Sequence, residues 1–329
     1  MSKISASDHV DMGLGLEGTH VLVTGGCGLI GKIVVQTFLA AGCHVTVVDL
    51  PGTAETVLDL EDKDHLHFFP GDITKNIDAA FTSAESKFGT VHFCVALASL
   101  DLSVLPQSDS ICDMDPAVWQ RVFDVNINGT FLTCQRWLQG IRRAVSNPDP
   151  KQTPPRPALR NVGCVIIGSE SGTFGVRTQP AYGAGKSAVQ HGLLLALSKD
   201  APRIYPSARV NAVAPGAVNT ERMKAETEQY GEQWRYEECE ATVALGRAVE
   251  PQEVARVVCW LASERWAGGI CGVVVPVDGG KTGPVVWGRE ELVERRKGNI
   301  IAGYLIVMRV KRGLSTKSIE LGVAIRKAW

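Results

Sequence analysis

Short runs of β-branched and other apolar residues alternate with helical patterns over most of this chain, and this alternation limits the fold more than any other feature. The runs lie at 21–23, 45–48, 66–69, 91–95, 165–167, 209–213 and 273–276. Segments between them, such as 30–41, 119–144, 181–198 and 251–263, carry apolar residues at the spacing of a helix face. The pattern therefore predicts an α/β fold: a doubly wound parallel sheet in a single domain with helices on both faces.

Two regions break the alternation and set the expected domain limits. Five prolines crowd residues 146–161, which predicts a proline-rich insertion loop ahead of the fifth strand. Residues 283–329 carry ten Lys or Arg and four Glu, and form a basic C-terminal tail whose role the sequence does not indicate. We expect an N-terminal extension at 1–18 and the α/β domain at 19–282.

Composition excludes several function classes. The formal net charge of −1 gives no reason to expect a nucleic acid partner. The nine cysteines are dispersed, with no pair at metal-binding spacing, so we expect reduced thiols and no metal site. No apolar run reaches the roughly 20 residues of a membrane-spanning helix, and the first residues do not resemble a signal peptide. These features predict no integral membrane segment and a cytoplasmic location.

A glycine-rich turn follows the first predicted strand directly. Gly25, Gly28 and Gly31 stand at intervals of three, and a helix begins near Leu29 and Ile30. Gly25 permits the tight turn, Gly28 lets the backbone approach a pyrophosphate, and Gly31 lets helix and strand pack closely. The helix N-terminus then presents backbone N–H groups to the phosphates. The strand–turn–helix context predicts a Rossmann-type dinucleotide site.

Asp49 ends the second strand, 18 residues after Gly31. A carboxylate at this place accepts hydrogen bonds from the adenosine ribose hydroxyls and repels a 2′-phosphate. No Lys or Arg stands at Gly26, Cys27 or Leu50 to offset that charge. The sequence therefore favours NAD(H) over NADP(H). The alternative is an ordinary exposed aspartate at a strand end.

Tyr182 and Lys186 lie one helical turn apart on one helix face. A nearby ammonium favours the phenolate and is expected to lower the tyrosine pKa, so that Tyr182 can exchange a proton with a substrate oxygen. Ser169 ends the fifth strand, 13 residues earlier, at the sheet edge where ligands bind. Its hydroxyl is the candidate that orients the substrate, with Ser171 as the competing candidate.

In this combination the chain resembles the short-chain dehydrogenase/reductase family, in its compact single-domain branch. The family's Ser, Tyr and Lys fall on Ser169, Tyr182 and Lys186. Its fourth catalytic residue, an Asn, falls on Asn126, with Asn128 as the weaker alternative. The resemblance covers about 20–280, and it implies hydride transfer between NAD(H) and a secondary alcohol or ketone.

The resemblance also implies further cofactor contacts. Asp72 and Ile73 match the pair beside adenine, and Thr220 matches the hydroxyl that contacts the carboxamide. The remaining expected cofactor-binding residues follow the first, fourth and sixth predicted strands: Leu29, Ile30, Ala96, Ala98, Pro215, Gly216 and Val218. Tyr182 and Lys186 are expected to touch the cofactor as well.

One segment departs from the family pattern. Where the family has Asn-Asn-Ala-Gly after the fourth strand, this chain has Ala96-Leu97-Ala98-Ser99. The first Asn of the family ties neighbouring strands together, so that tie is expected to be lost.

The sequence constrains the identity of the substrate less than that of the cofactor. Residues 218–246 form the expected substrate-binding segment, and Met223 and Trp234 within it suggest an apolar, medium-sized metabolite. Ser171 and Phe174 are further substrate candidates. A solvated helix with buried aromatics is the alternative for this segment.

The alternatives for the whole chain are non-redox chemistry in the same site, by cyclisation or epimerisation, and an NAD(H)-binding sensor or scaffold without turnover.

Besides a small-molecule substrate, the expected partner is a second copy of the chain, in a homodimer or homotetramer. The long helices carry apolar residues beyond the face that covers the sheet, and a second copy would bury them.

Overall fold

The computed structural model describes residues 12–53, 64–146 and 159–297, and the structural statements below concern these ranges. Within them, one seven-stranded parallel sheet has the order β3-β2-β1-β4-β5-β6-β7. This confirms the predicted doubly wound parallel sheet. The strands are β1 His20–Thr24, β2 His44–Asp49, β3 Leu66–Pro70, β4 Phe93–Ala96, β5 Gly163–Ile167, β6 Arg209–Pro215 and β7 Val274–Val277.

Helices connect the strands and cover both faces of the sheet. They are α1 Gly31–Ala40, α2 Ile77–Phe88, α3 Pro116–Phe123, α4 Thr130–Ser146, α5 Ser171–Phe174, α6 Pro180–Ser187, α7 Leu194–Ile204, α8 Glu221–Cys239, α9 Pro251–Ala262, α10 Glu264–Ala267 and α11 Arg289–Arg296. Two short 3₁₀ helices, Leu102–Val104 and Ile111–Asp113, follow β4. None of the helices in the described ranges is long and apolar enough to cross a membrane.

Two of the long predicted helices are each interrupted by a π-helical turn. Asp124–Gly129 lies between α3 and α4, and Ala188–Leu193 lies between α6 and α7. The two π-helical turns contact each other across the helix pair. Such turns widen the backbone locally and are frequent at functional sites.

The core is divided between the two faces of the sheet. Alternate residues of β1 point to opposite faces, so that Val21 and Val23 pack in one cluster and Leu22 in the other. The first cluster includes α1 and α9, and the second includes α2, α4 and α7. Since both faces are buried, the strands lack polar alternation and their sequences are nearly continuous apolar runs.

The order of the strands reverses between β1 and β4, which are neighbours in the sheet. The connections leave these two strands in opposite directions and open a crevice at their carboxyl ends. Most of the candidate residues predicted above stand at or near these ends.

The structure describes part of each segment that was expected to lie outside the regular α/β domain. Residues 12–18 lie against the domain, where Leu16 is fully buried and the Trp266 Nε1–H donates to the Gly13 carbonyl. Most of the proline-rich insertion, residues 147–158, lies outside the described residues, as does the tail from 298 onward. Residues 283–297 pack on the domain, and Leu292 is buried there.

Candidate active site

A single cleft of about 1690 Å³ runs along the carboxyl ends of the central strands. It brings most predicted site residues together. These are Gly25, Gly28, Leu29, Ile30, Asp49, Asp72, Ile73, Ala98, Ser169, Ser171, Tyr182, Pro215, Gly216, Val218, Thr220, Met223 and Trp234. Gly31, Ala96, Asn126, Phe174 and Lys186 do not line it.

The glycine turn at the start of the cleft has no room for side chains. Gly25 has a φ of +70°, and a Cβ there would stand 2.7 Å from Ala98 Cα. A Cβ on Gly31 would stand 2.1 Å from the Gly25 carbonyl oxygen, which explains its place behind the turn and outside the cleft. The backbone of the turn is thus free to approach a phosphate directly. This observation fits a dinucleotide at this end of the cleft.

Asp49 faces the same turn from the end of β2. Its Oδ2 accepts from the Cys27 N–H at 2.8 Å, and its Oδ1 accepts from the Leu50 N–H at 2.8 Å. A carboxylate oxygen can accept more than one hydrogen bond, so both oxygens keep capacity for ribose hydroxyls. The two backbone bonds fix the direction of the carboxylate.

Asp72 and Ile73 are held in place by their neighbours in sequence and in space. Asp72 Oδ1 accepts from both the N–H and the hydroxyl of Thr74. Burial raises the pKa of Asp72, but these bonds and the nearby Lys75 outweigh it, so the net pKa is below the usual range. Ile73 packs against Gly129, where a Cβ would stand 2.5 Å from Ile73 Cδ1.

Ser169, Tyr182 and Lys186 converge at the end of β5. The Lys186 Nζ donates to the Ile167 carbonyl at 2.9 Å and to Ser99 Oγ at 3.2 Å, and it lies 5.6 Å from the centre of the Tyr182 ring. Lys186 is 3% exposed and Tyr182 is 8% exposed. Lys186 therefore lies behind Tyr182, which explains its absence from the cleft wall.

The electrostatics of the pair differ from the sequence-based expectation. The pKa of Tyr182 is raised to about 12, chiefly by burial; the Ser169 side chain opposes this shift, and the charges of Asp101 and Glu170 add to it. Burial also lowers the pKa of Lys186 to about 8. The predicted net direction is therefore wrong: the pKa of Tyr182 lies above that of free tyrosine and not below it, because desolvation of the phenolate dominates.

Asn126 lies in the first π-helical turn and is 1% exposed. Its side-chain amide exchanges two hydrogen bonds with the backbone of Leu100, at 2.8 and 3.0 Å. It also packs beside α6, where a Cβ on Gly185 would stand 3.7 Å from Asn126 Cβ. Asn126 thus joins the loop after β4 to the helix of Tyr182 and Lys186. Asn128 faces away and bonds Asp124.

Gln190 supports Ser169 from behind, and sequence reasoning missed it. Its Oε1 accepts from the Ser169 N–H at 2.8 Å, and its Nε2 donates to Thr173 Oγ1 at 3.2 Å. Gly168 and Gly172 make room for it, since a Cβ at either would stand within 2.7 Å of the Gln190 side chain. The two glycines around Ser169 were the available signal that a side chain passes close to this loop.

Thr24 supplies the strand tie that the departure at 96–99 was expected to remove. Its Oγ1 accepts from the Leu97 N–H at 3.1 Å and from the Ala98 N–H at 3.3 Å. The bond that the family's Asn would make is absent, as expected, because Ala96 has no polar side chain, and the Thr24 hydroxyl on β1 binds the segment after β4 in its place. Ala96 itself is buried in the sheet beneath the cleft.

The substrate side of the cleft is mixed in character. Met223 and Trp234 line it as predicted, whereas Phe174 is 47% exposed and lies outside it, near Gly283. Charged residues absent from the prediction also line this side: Asp101, Glu170, Arg222, Glu226 and Glu238.

Two ion pairs organise those charges. The Arg222 Nη1 lies 2.6 Å from Asp101 Oδ2 and joins α8 to the loop after β4. The Lys281 Nζ lies 3.5 Å from Glu170 Oε1, next to Ser169. Thr220 begins α8, and its hydroxyl accepts from the Met223 N–H as an N-cap. The position of Arg222, two residues after Thr220, was the sequence signal for the first pair.

Comparison with known proteins agrees with this geometry. A short-chain dehydrogenase/reductase family model, described as enoyl-(acyl carrier protein) reductase, matches residues 28–282. The chain belongs to the short-chain dehydrogenase/reductase family. The family resemblance predicted from the sequence is thereby confirmed, and membership implies a nicotinamide cofactor and an oxidoreductase that acts on alcohols or ketones.

Several members of this dehydrogenase/reductase family cover most of the chain. A 2-(S)-hydroxypropyl-CoM dehydrogenase from Xanthobacter autotrophicus is 30% identical over 81% of this chain and 98% of its own length. A 3beta-hydroxysteroid dehydrogenase from Eggerthella lenta is 31% identical over 81% and 95%. The crystal structure of a glucose/ribitol dehydrogenase from Brucella melitensis matches with a TM-score of 0.61 and 25% identity, over 80% of this chain and 97% of that one.

Proposed function

We propose that this protein transfers hydride between NAD(H) and a secondary alcohol or ketone. The observation that carries the proposal is the convergence of Ser169, Tyr182 and Lys186 at the end of β5, where Ser169 and Tyr182 line a cleft that begins at a glycine turn and Lys186 lies behind them. When bound, the nicotinamide ring supplies or accepts the hydride. The protein's own residues hold the substrate oxygen and move its proton.

Tyr182 is the proposed acid and base. With a pKa raised to about 12, its phenol stays protonated at neutral pH, the form that donates to a carbonyl oxygen during reduction. Alcohol oxidation requires the phenolate, so in that direction Tyr182 first loses its proton to water, and the phenolate oxygen then takes the proton of the alcohol. Ser169, on the same cleft wall, orients the substrate oxygen toward Tyr182.

Lys186 is the proposed link between Tyr182 and the cofactor. An ammonium has three N–H donors, and Ile167 and Ser99 accept two of them. The third remains for a ribose hydroxyl. Asn126 is proposed to hold the Leu100 backbone at this junction rather than to touch the substrate.

Asp49 is the proposed determinant of NAD(H) over NADP(H). Its carboxylate is fixed against the glycine turn by the Cys27 and Leu50 N–H groups. A 2′-phosphate at this position would meet a negative charge, whereas ribose hydroxyls would meet an acceptor.

The proposed substrate is a medium-sized metabolite with an apolar body. Met223, Trp234 and Val176 offer apolar contacts in the cleft, and Ser171 offers a hydroxyl beside Ser169. The charged residues beside these side chains would bind polar groups at the substrate's edge.

The experiment is a screen of secondary alcohols with NAD⁺ and of ketones with NADH, followed by the absorbance of NADH. We expect turnover of at least one class, with NAD(H) preferred over NADP(H). Binding of NADH without turnover of any substrate would favour the sensor alternative, and substrate conversion without change in NADH would favour non-redox chemistry.

A further inference from the structure

Residues 283–297, which we call the C-terminal strap, pack on the far end of the substrate-binding segment. The family model ends at residue 282, so the strap is an addition beyond the matched region. The Val286 N–H donates to the Ala241 carbonyl at 2.7 Å, immediately after the end of α8. Leu292 of the strap is 3% exposed and lies against Gly246, where a Cβ would stand 2.8 Å from it.

Trp287 is the first anchor of the strap. Its indole N–H lies 3.1 Å from both the Val243 and the Ala244 carbonyl oxygens, and its own carbonyl accepts from the Tyr236 hydroxyl at 2.8 Å. The Arg295 guanidinium stacks over its ring at 4.9 Å from the centre. The Trp287 side chain thus joins the loop after α8 to α11, and its backbone carbonyl joins both to α8.

Glu240 is the second anchor. It is 3% exposed and accepts from Arg235 at 3.0 Å and from Arg296 of the strap. A buried carboxylate needs such partners because an unpaired buried charge is strongly destabilising. The strap therefore closes an ion network around the end of α8.

Helix α8 is divided at Gly231, which has a φ of +88° and breaks the helical path. The half before Gly231 is joined to the opposite wall of the cleft through Arg222 and Asp101. The half after it carries Trp234 and Glu238 on the cleft wall and Tyr236 on the strap. A kink lets the two halves be held separately, and only the second half is held by the strap.

We propose that Trp287 is a positioning residue: it holds the second half of α8 so that Trp234 and Glu238 form the substrate wall. It acts on substrate affinity and not on proton or hydride transfer, because neither Trp287 nor Tyr236 lines the cleft. The predicted effect on substrate affinity is the kinetic part of this inference, and it rests on the proposed function. The positioning of the second half of α8 is the structural part, and it does not.

The structural part is tested by hydrogen–deuterium exchange on the full chain. Trp287→Phe removes the indole N–H. Tyr236→Phe removes only a hydroxyl and serves as the second variant if Trp287→Phe does not fold. Both are expected to speed exchange in residues 232–246 about threefold to tenfold, as expected from the loss of one or two ordinary hydrogen bonds. Trp266→Phe is the matched control, since it loses a similar indole bond, to the Gly13 carbonyl, away from α8.

The kinetic part uses a substrate from the alcohol and ketone screen. In Trp287→Phe and Tyr236→Phe, KM should rise about threefold to tenfold. The kcat and the Kd for NADH should match those of wild type and Trp266→Phe. Unchanged exchange in 232–246 overturns the proposal, and so does an unchanged KM or a fall in kcat and NADH affinity. If wild type turns over no substrate, the proposed function fails, and the exchange result alone decides whether Trp287 holds this wall.

Discussion

At the residue scale, Tyr182 carries the chemical proposal, because it lies on the cleft wall together with Ser169 and in front of Lys186. Tyr182→Phe keeps the ring and its packing but removes the proton. Turnover should fall about 10²–10⁴-fold, the usual contribution of a general acid or base. NADH binding, followed by fluorescence titration, should persist.

The control for this prediction is Ser171→Ala. The Ser171 backbone N–H donates to Ser169 Oγ and is kept in this variant, so kcat should change little; loss of a substrate contact by the Ser171 hydroxyl would raise KM only. Wild-type turnover in a folded, NADH-binding Tyr182→Phe protein would disprove the role of Tyr182.

Asp49 can be tested by binding alone. Asp49→Ala should weaken NADH binding about tenfold or more, because hydrogen bonds to a charged group are lost. The difference between the affinities for NADH and for NADPH should become smaller. Asp49→Asn keeps an oxygen for the Cys27 N–H but removes the charge, and thus separates positioning of the turn from repulsion of phosphate. Equal affinity of the wild type for NADH and NADPH would contradict the assignment.

The sequence predicted the chemistry at this scale better than its electrostatics. The spacing of Tyr182, Lys186 and Ser169 sufficed to bring them together, because a helix turn and a strand end fix their positions. The direction of the Tyr182 pKa shift depends on burial from several elements, which no local spacing reveals. Gln190 was missed for the same reason, since it reaches Ser169 from 21 residues away.

At the scale of elements, the contribution of the π-helical turn 188–193 to the position of Ser169 can be tested. It places Gln190 behind Ser169, where the side chain is fully buried. Gln190→Leu keeps the approximate volume but leaves the Ser169 N–H without its acceptor, so turnover should fall about tenfold, corresponding to a buried unsatisfied donor. NADH affinity should be unchanged.

Thr173→Ala is the matched variant for Gln190→Leu, because it removes one partner of the Gln190 amide nitrogen, which also contacts His191, without touching Ser169. It should retain turnover. If both variants lose activity equally, the effect reflects packing of the loop rather than the bond to Ser169.

Helix periodicity predicted the existence of these helices but not their π-helical turns. A π-helical turn adds one residue per turn and needs support from neighbouring elements, here the other π-helical turn. The strands were predicted more closely because both sheet faces are buried and their residues are apolar throughout. The apolar reading of 218–246 was incomplete, since Arg222 and Glu226 also face the cleft.

At the scale of the whole molecule, we predict a homo-oligomer. Phe131 on α4 and Leu195 on α7 are 43% and 47% exposed, although Leu194 is buried in the core. A symmetric contact between these helices would cover the exposed apolar side chains. Light scattering at micromolar concentration should show a dimer or tetramer, and a double Phe131→Glu, Leu195→Glu variant should shift it toward the 35.4 kDa monomer. A wild type that scatters only as a monomer would refute this.

Acid stability is the second prediction for the whole molecule. Burial lowers the pKa of His20 and of His92 to about 4, whereas an unfolded histidine titrates near 6.5. Between these values the unfolded chain takes up protons that the folded chain does not, so the free energy of unfolding should fall as pH drops from 7 toward 4.

Urea unfolding at pH 7 and pH 5 measures this dependence. His20→Gln keeps an amide that can bond Gly89 and Thr46, and should make the pH dependence shallower. The same slope in both proteins would exclude His20 as a contributor.

Separate segments of the chain carry the proposed proton transfer and the proposed substrate contacts, and this separation affects how substrate preference can change among related proteins. The groups proposed to move protons stand on β5, α6 and the π-helical turn behind them, whereas the groups that meet the variable part of a substrate stand on α8 and are held by the strap. Transfer of residues 221–246 into a relative together with the strap, which lies beyond the region that the family model matches, should therefore carry the substrate preference of this protein with it. Exchange of 221–246 alone would separate α8 from the indole and guanidinium that hold it, and we expect a chimaera of that kind to bind NADH while it discriminates poorly among substrates.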